Sequence, residues 1–449
     1  MNTALAAILD RNRKFLPLAA TIGMFLLVYL FGFLSYPAMR DGQALFNLFD
    51  AAPFLIVIVV GEGLVIISGG IDLSVSGILA LTTVVAASLL QMGWSAWAIF
   101  PVVLVMGMLF GLVMGLFITY LKVQPFIATL AGMWLARGLS YVVSDAEVRI
   151  HDATYTTLGQ TKILIPGLAD PSSKHGDYIT YLVVVALVVL VVGLFLAHFT
   201  RFGRTIYAMG GGNGLNEQSA RLMGLPVNRT KVLVYALSGF CSALGGILYS
   251  IYVNSGRGNA GTGLELTAIA AVVIGGIALT GGEGYLVGAL VGVLITSLIQ
   301  SIIQADGTIS NYWVYIVIGL LMLVGIVVKN GILLVDYTNQ LRRRGLSRTD
   351  AILRAGPTRL RPILMTSSAA VLGMFPLALA LARGSETEAP LATAVIGGLI
   401  TSTMLTLLVV PVVYTLFDDL SAHLIRRRKP VAVPEPAPEP EPTGVMNGE

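Results

Sequence analysis

Residues 201–231 read RFGRTIYAMGGGNGLNEQSARLMGLPVNRTK. They form the longest water-soluble, basic break in the first three quarters of a chain built mostly of apolar runs. The 449 residues are 56% hydrophobic and only 12% charged, against about 25% charged in a soluble domain. A polar break set between long apolar runs means a polytopic membrane protein, an all-α bundle of helices. Fifty glycines fit that class, because Gly is more frequent in transmembrane helices and lets helices approach closely. The single cysteine, Cys241, lies in an apolar run and reads as a small buried hydrophobe. It excludes an intrachain disulfide.

Working outward from the break, spans of about 20 apolar residues are expected near 16–36, 47–68, 75–92, 97–120, 125–143, 178–198, 232–253, 265–281, 284–304, 312–335, 362–382 and 391–416. The third and eighth are short and Gly-rich. Arg11, Arg13 and Lys14 precede the first span with no small-residue cleavage site, so no removable leader is expected. With the N-terminus inside, inner connections carry Arg201, Arg204, Arg221, Arg229, Lys231, the cluster from Arg342 to Arg361, and Arg426 to Lys429. Outer ones carry Arg40, Arg149, Lys162, Lys174, Arg257 and Arg383. This asymmetry of about three to one predicts both termini, and the 201–231 break, in the cytoplasm. The longest outer connection, 144–177, is too short for a sizeable domain.

Inside the break, Asn216 can cap a short helix, Glu217 suits its first turn, and Gly224 with Pro226 ends it. Glu217 and Arg221 stand i,i+4 in the favourable order. A helix of about seven residues is marginal in water unless it packs on something. Ala220, Leu222 and Met223 give it an apolar side. Two readings follow: insertion into a groove on a partner, or packing back on its own bundle.

The chain also contains an echo. Residues 65–79 read VIISGGIDLSVSGIL and residues 273–286 read VIGGIALTGGEGYL. Paired Gly-interrupted spans point to a transport pathway, and equally to two tight turns where Gly permits close backbones. Ionisable groups within spans are functional candidates: Glu62 before the GGIDLS break, Arg137 in the fifth span, Lys329 in the tenth. Depth counting places Glu62 in the inner half and Arg137 in the outer half, and Lys329 near enough to the inner end to snorkel. Enzyme chemistry has no constellation here. His151, His175, His198 and His423 are far apart and lack metal-ligand spacing. There is no GxxxxGK[ST], so ATP hydrolysis would need another chain. No cofactor, metal or nucleic-acid partner is expected.

Several segments carry a resemblance: SGGIDLSV (68–75), PFIATLAGMWLARG (125–138), RFGRTIYAMGG (201–211), ARLMG (220–224), GLELTAIAAVVIGG (263–276) and DGTISNYW (306–313). Residues 16–318 thereby resemble the inner-membrane permease subunit of a monosaccharide ABC importer of the ribose/galactofuranose type. The resemblance implies a partner ATPase docking on an E-x-x-A-R-L-x-G pattern, here Glu217, Ala220, Arg221, Leu222 and Gly224, with Asn216 ahead of it. It also implies a periplasmic sugar-binding protein and a homodimer, or a heterodimer with a related permease. The substrate pathway is then expected at Glu62, Gly69, Gly70, Asp72, Ser74 and Ser76, with Gly275, Gly276, Gly281 and Gly282 beside them. Two departures stand out. Gly214-Leu215-Asn216 intervenes like a three-residue insertion before the acidic residue. The family's S-V-G after the aspartate is here Ser74-Val75-Ser76-Gly77.

The C-terminal part resembles something else. GIVVKNGILLVDY (325–337), RPILMTS (361–367) and GMFPLAL (373–379) are similar to the last three spans of a resistance-nodulation-division efflux pump. That resemblance makes Lys329 and Asp336 remnants of a proton relay whose carboxylate helix is missing here. The expected organisation is therefore a permease-like domain over 1–318 with about ten spans, an efflux-pump-like segment over 319–420 with two appended spans, and a tail over 421–449. The tail is basic, then Pro/Glu-rich, and reads as disordered. The function expected is monosaccharide import across the inner membrane. The alternatives are proton-driven efflux and a non-transporting fusion.

Overall fold

The computed structural model describes residues 15–164, 177–211, 215–308, 313, 334–335, 337–379 and 389–426. Helix follows the apolar runs closely. In order they are α1 (Leu16–Ser35), α2 (Gly42–Asp50), α3 (Pro53–Ile67), α4 (Val75–Gln91), α5 (Ala96–Tyr120), α6 (Pro125–Val143), α7 (Ala153–Gln160), α8 (Tyr181–Phe199), α9 (Arg201–Met209), α10 (Leu215–Leu222), α11 (Val227–Val253), α12 (Leu264–Ile274), α13 (Leu286–Asp306), α14 (Arg348–Ala378) and α15 (Ala389–Arg426). Start signals are local. Proline opens α3 and α6 at the first helical turn, where its missing N–H costs nothing. Asp41 and Asp152 cap α2 and α7 through their carboxylates.

Among the described residues, seven helices are long and apolar enough to cross a membrane, or eight if the pair α2–α3, bent by 57°, counts as one. The expected span 47–68 is this bent pair. The third and eighth expected spans become α4 and α12, with 17 and 11 residues. Apart from residues 313, 334 and 335, the expected span 312–335 lies outside the described residues, as does the tail after residue 426. One expectation fails: the basic stretch before residue 362 is not a loop, because α14 begins at Arg348.

The centre of the bundle is α3, α4, α5 and α11. Gly107, Gly111 and Gly115 stand four apart on one face of α5 and let its backbone touch α11. A Cβ on Gly111 would fall 2.1 Å from the Tyr235 carbonyl oxygen. Such small-residue seams drive helix association where the solvent is itself apolar. The largest buried cluster unites these helices with α8, α12 and α13. Two short antiparallel ribbons, β1 (Val148–Arg149) with β4 (Ser255–Gly256) and β2 (Lys162–Leu164) with β3 (Tyr178–Thr180), sit with α7 at the end of the bundle opposite α9 and α10. The appended helices α14 and α15 pair with each other, and α14 packs on α6. Their near ends are tied by Arg342 to Asp418 at 2.9 Å and by Arg348 to Asp418 and Asp419.

Candidate functional site

The first glycine break explains how α3 stops. Gly69 takes φ +89°, a left-handed conformation that side chains resist, and Gly70 N–H returns to the Val65 carbonyl at 3.0 Å. The chain then reverses, and α4 starts inside the bundle. Irregular backbone at that depth needs its polar groups satisfied, and the side chains of this segment do so. One Asp72 carboxylate oxygen accepts from the Ser74 backbone N–H at 2.9 Å and from the Ser74 hydroxyl. The other accepts from the Ser238 hydroxyl of α11 at 2.7 Å. The Asp72 N–H donates to Glu62 Oε1 at 3.2 Å, while Glu62 Oε2 has no hydrogen-bond partner among the described residues. Glu62, Ser74, Ser76 and Ser238 are fully buried and Asp72 is 1% exposed. Arg137, also buried, donates to Ser76 at 3.3 Å and to Thr262 at 2.8 Å. Depth counting had set Glu62 and Arg137 apart. The structure ties Glu62 to Asp72 and, separately, Arg137 to Ser76 and Thr262.

The second break meets the first. Gly276, Gly281, Gly282 and Gly284 all have positive φ. The Gly282 N–H donates to the carbonyl of Ile67, the last residue of α3, at 2.8 Å. A Cβ on Gly281 would lie 2.7 Å from the Gly69 nitrogen. Gly275 instead serves helix packing, with its added Cβ 2.4 Å from the Gly288 carbonyl oxygen of α13. The two sequence echoes thus contact each other backbone to backbone.

A third glycine segment closes on this contact, and it belongs to the polar break of the opening. Thr200 caps α9 through its hydroxyl, which accepts from the Gly203 N–H at 3.2 Å. Tyr207 on α9 donates to the Gly284 carbonyl at 2.7 Å. A Cβ on Gly210, just past α9, would fall 2.0 Å from the Ile67 carbonyl oxygen and 2.4 Å from the Gly282 nitrogen. Helix α10 then turns away. Asn216 is not its cap, as expected from sequence. The helix begins at Leu215, and the Asn216 amide donates backwards to the Gly210 carbonyl at 2.9 Å. The side chain thereby ties α10 to the end of α9.

Glu217 sits between two cations, Arg221 at 2.6 Å and Lys231 at 3.0 Å. Burial pushes its carboxyl up, but Lys231 and then Arg221 outweigh that, and it lies below the usual carboxylate range. Gly224 at φ +79° and the Leu225 N–H to Ala220 carbonyl bond at 3.0 Å end α10 as expected. Its expected apolar side divides. Ala220 is buried against Met209 and Val227. Leu222 and Met223 point away, 90% and 68% exposed. The helix lies back on the bundle through Ala220 and leaves Leu222 and Met223 exposed.

Sequence reasoning missed Ser238, Tyr235, Lys231 and Gly210. Lys231 is fourteen residues from Glu217 and Ser238 is 166 from Asp72, separations that periodicity does not reach. The run SGFCSALGG (238–246) was a signal of close packing, and Gly210 one of three consecutive glycines. Lys329 and Asp336 lie outside the described residues. Among the described residues no cluster of His, Cys, Asp or Glu could hold a metal.

Residues 44–326 match the family of branched-chain amino acid transport system permease components. The chain belongs to that family. Over 321 residues it is 43% identical to the inner membrane ABC transporter permease protein YjfF of Escherichia coli, covering 71% of this chain and 93% of that protein. It is 36% identical to the fructose import permease protein FruG of Bifidobacterium longum over 72% of this chain and 93% of that one. Identity is 35% to the ribose import permease protein RbsC of Escherichia coli, over 64% and 85%. Residues 286–418 match the AcrB/AcrD/AcrF family, so the efflux-pump likeness of the C-terminal part holds. The two matches overlap from 286 to 326, a stretch that contains the expected boundary at 318. No solved structure matches the chain. The chain is a multi-pass membrane permease.

Proposed function

We propose that this permease is the membrane subunit of an ATP-binding cassette importer that moves a monosaccharide into the cell. In this reading it sits in the bacterial inner membrane with both termini in the cytoplasm, paired with a second copy or a related permease. A separate ATPase grips α10 through Leu222 and Met223, oriented by Glu217 and Arg221. A periplasmic binding protein delivers the sugar to the end bearing the two ribbons. The relatives named for ribose and fructose import support the substrate class.

The observation that carries the reading is the contact at Gly210. The element offering its apolar tip outward is joined, within a few residues, to both glycine breaks. A push on α10 therefore reaches Gly69, Gly70, Gly281 and Gly282 directly, and through them the Asp72–Ser238 seam. Glu62, Asp72, Ser74 and Ser76 are closed off in this conformation, so they would meet a sugar only when the breaks separate. Hydroxyls of the substrate would then compete for the hydrogen bonds that now hold the seam.

The test is reconstitution with the cognate ATPase and binding protein. Replacing Glu217 and Arg221 together by Ala is expected to abolish both complex formation and sugar uptake. Unchanged complex and uptake would sink the docking assignment. The match to the AcrB/AcrD/AcrF family favours a second reading, proton-driven efflux through the C-terminal part with Lys329 and Asp336 as relay remnants, and leaves room for a non-transporting fusion. A chain truncated after Val335 separates them. Uptake persists under the import reading, and drug efflux disappears under the other.

A further inference from the structure

A cavity of about 390 Å³ opens beside α10, between the end of α5 and the start of α11, lined by Tyr120, Arg221, Leu225, Asn228 and Arg229 among others. Its lining carries two guanidinium groups and no carboxylate. Arg229 is exposed and has no ion pair or hydrogen bond among the described residues, whereas Arg221 is shared with Glu217. The first turn of α11 faces the cavity at Asn228 and Arg229, and a helix N-terminus adds positive potential. The carbonyl-like Oδ1 of Asn228 is buried without a partner, and the side-chain amide can equally be turned to present its N–H₂.

The cavity is continuous with an apolar surface. Val105, Leu109, Val113, Leu116 and Phe117 are exposed by 39 to 51% and follow one another at helical spacing along α5. The stripe runs straight into Tyr120, itself 59% exposed. Its opposite face, Gly107, Gly111 and Gly115, is the one that packs on α11. In a multi-pass protein this stripe faces hydrocarbon or another apolar helix. A basic cavity at its end has the charge and position of a headgroup site.

We propose that this cavity holds the phosphate of an anionic phospholipid, with acyl chains along the α5 stripe. Arg229 supplies the free guanidinium for a charge-assisted pair with a phosphate oxygen, Tyr120 the hydroxyl at the interface, and Arg221 a second cation already oriented by Glu217. The site shares Arg221 with the α10 surface proposed to meet the ATPase, so headgroup composition bears on how α10 is held, and lipid binding is tested on the chain without that partner.

The experiment uses the full chain in nanodiscs of phosphatidylcholine with or without phosphatidylglycerol, followed by native mass spectrometry. The native protein should retain phosphatidylglycerol over phosphatidylcholine. Arg229→Gln should lower that retention about fivefold, the worth of one cation near a lipid surface. Arg229→Lys should keep most of it, and Arg204→Gln, on α9, should leave it unchanged. Arg229→Lys also guards against a folding defect, since it alters the same position with charge retained. Equal retention by the native chain and Arg229→Gln would overturn the proposal. So would Arg229-dependent binding of inorganic phosphate in phosphatidylcholine discs with no preference for phosphatidylglycerol, which would make the ligand a free anion. Efficient disulfide cross-linking of a Leu116→Cys chain to a second copy would also overturn it, by showing that protein covers the stripe.

Discussion

Replacing Gly210 by Ala tests the mechanical link between α10 and the glycine breaks. Gly210 has φ −74° and ψ 160°, an extended conformation that alanine adopts without strain. The substitution is therefore purely steric. Its Cβ would stand 2.0 Å from the Ile67 carbonyl oxygen, 2.4 Å from the Gly282 nitrogen and 3.0 Å from the Gly282 Cα. Ordinary carbon contacts begin at about 3.5 Å, so backbone must move by roughly 1 Å or more on two sides at once. Overpacking of this kind costs about 1–3 kcal/mol. Relief comes from parting α9 from the Ile67–Gly282 contact, or from parting Ile67 and Gly282 with loss of their hydrogen bond. Gly138 on α6 is the control, because nothing lies within 4 Å of its added Cβ. Gly138→Ala should be neutral or stabilise by about 0.5–1 kcal/mol. The assay is ATP-driven sugar uptake in proteoliposomes alongside association of the ATPase and thermal unfolding. Gly210→Ala should lower stability and uptake while the ATPase still binds, because Leu222 and Met223 are untouched. Native uptake with native stability in Gly210→Ala would refute the idea that the segment after α9 transmits anything to the breaks.

Three further outcomes follow from other contacts. Glu217 has its carboxyl held below the usual range by Lys231 and Arg221 against the opposing effect of burial. Its pairing therefore stabilises α10 above the unfolded carboxylate value of about 4.3 and is lost as pH falls through the lower folded value. After correction for the pH dependence of intrinsic exchange, protection across α10 should fall in the native chain as pH drops below the unfolded carboxylate value, by no more than about 1 kcal/mol, and Glu217→Gln should show that weaker protection already at neutral pH. Ser238→Ala removes the donor to one Asp72 oxygen at 2.7 Å in a fully buried site, and thermal unfolding should report a loss of about 1–3 kcal/mol. Arg348→Ala breaks solvent-exposed pairs with Asp418 and Asp419, so the same measurement should barely move.

Much of the architecture was legible because apolar length and Gly/Pro punctuation are local signals. The ends of α5 and α6 fall within a residue of expectation, and Gly224 stops the helix it was expected to stop. The failures are equally physical. Asn216 has the chemistry of a cap, but the helix already begins at Leu215 and the Asn216 amide donates to the Gly210 carbonyl, a contact that local sequence does not reveal. The basic stretch ahead of residue 362 is helical where α14 packs on α15, a partner that composition does not reveal. The matching glycine motifs marked both breaks but not that they touch. That contact depends on positive φ at Gly69, Gly281 and Gly282 together.

The polar residues inside this bundle have a common task that precedes any role toward a substrate. A helix that stops at Ile67 and restarts at Val75 exposes backbone N–H and C=O groups in an apolar medium, each costly if unpaired. Asp72 answers the start of α4, Glu62 answers the Asp72 N–H, Gly282 answers the Ile67 carbonyl, and Ser238 answers the second oxygen of Asp72. The hydrogen bonds come from four separate segments, so no single helix can move without releasing another's partner. An element that must open and reclose needs bonds that can be exchanged rather than a packed apolar seam. Serine hydroxyls, a carboxylate and glycine backbone supply such bonds, and the segment that reaches them from outside, through Gly210, is the polar break between α8 and α11.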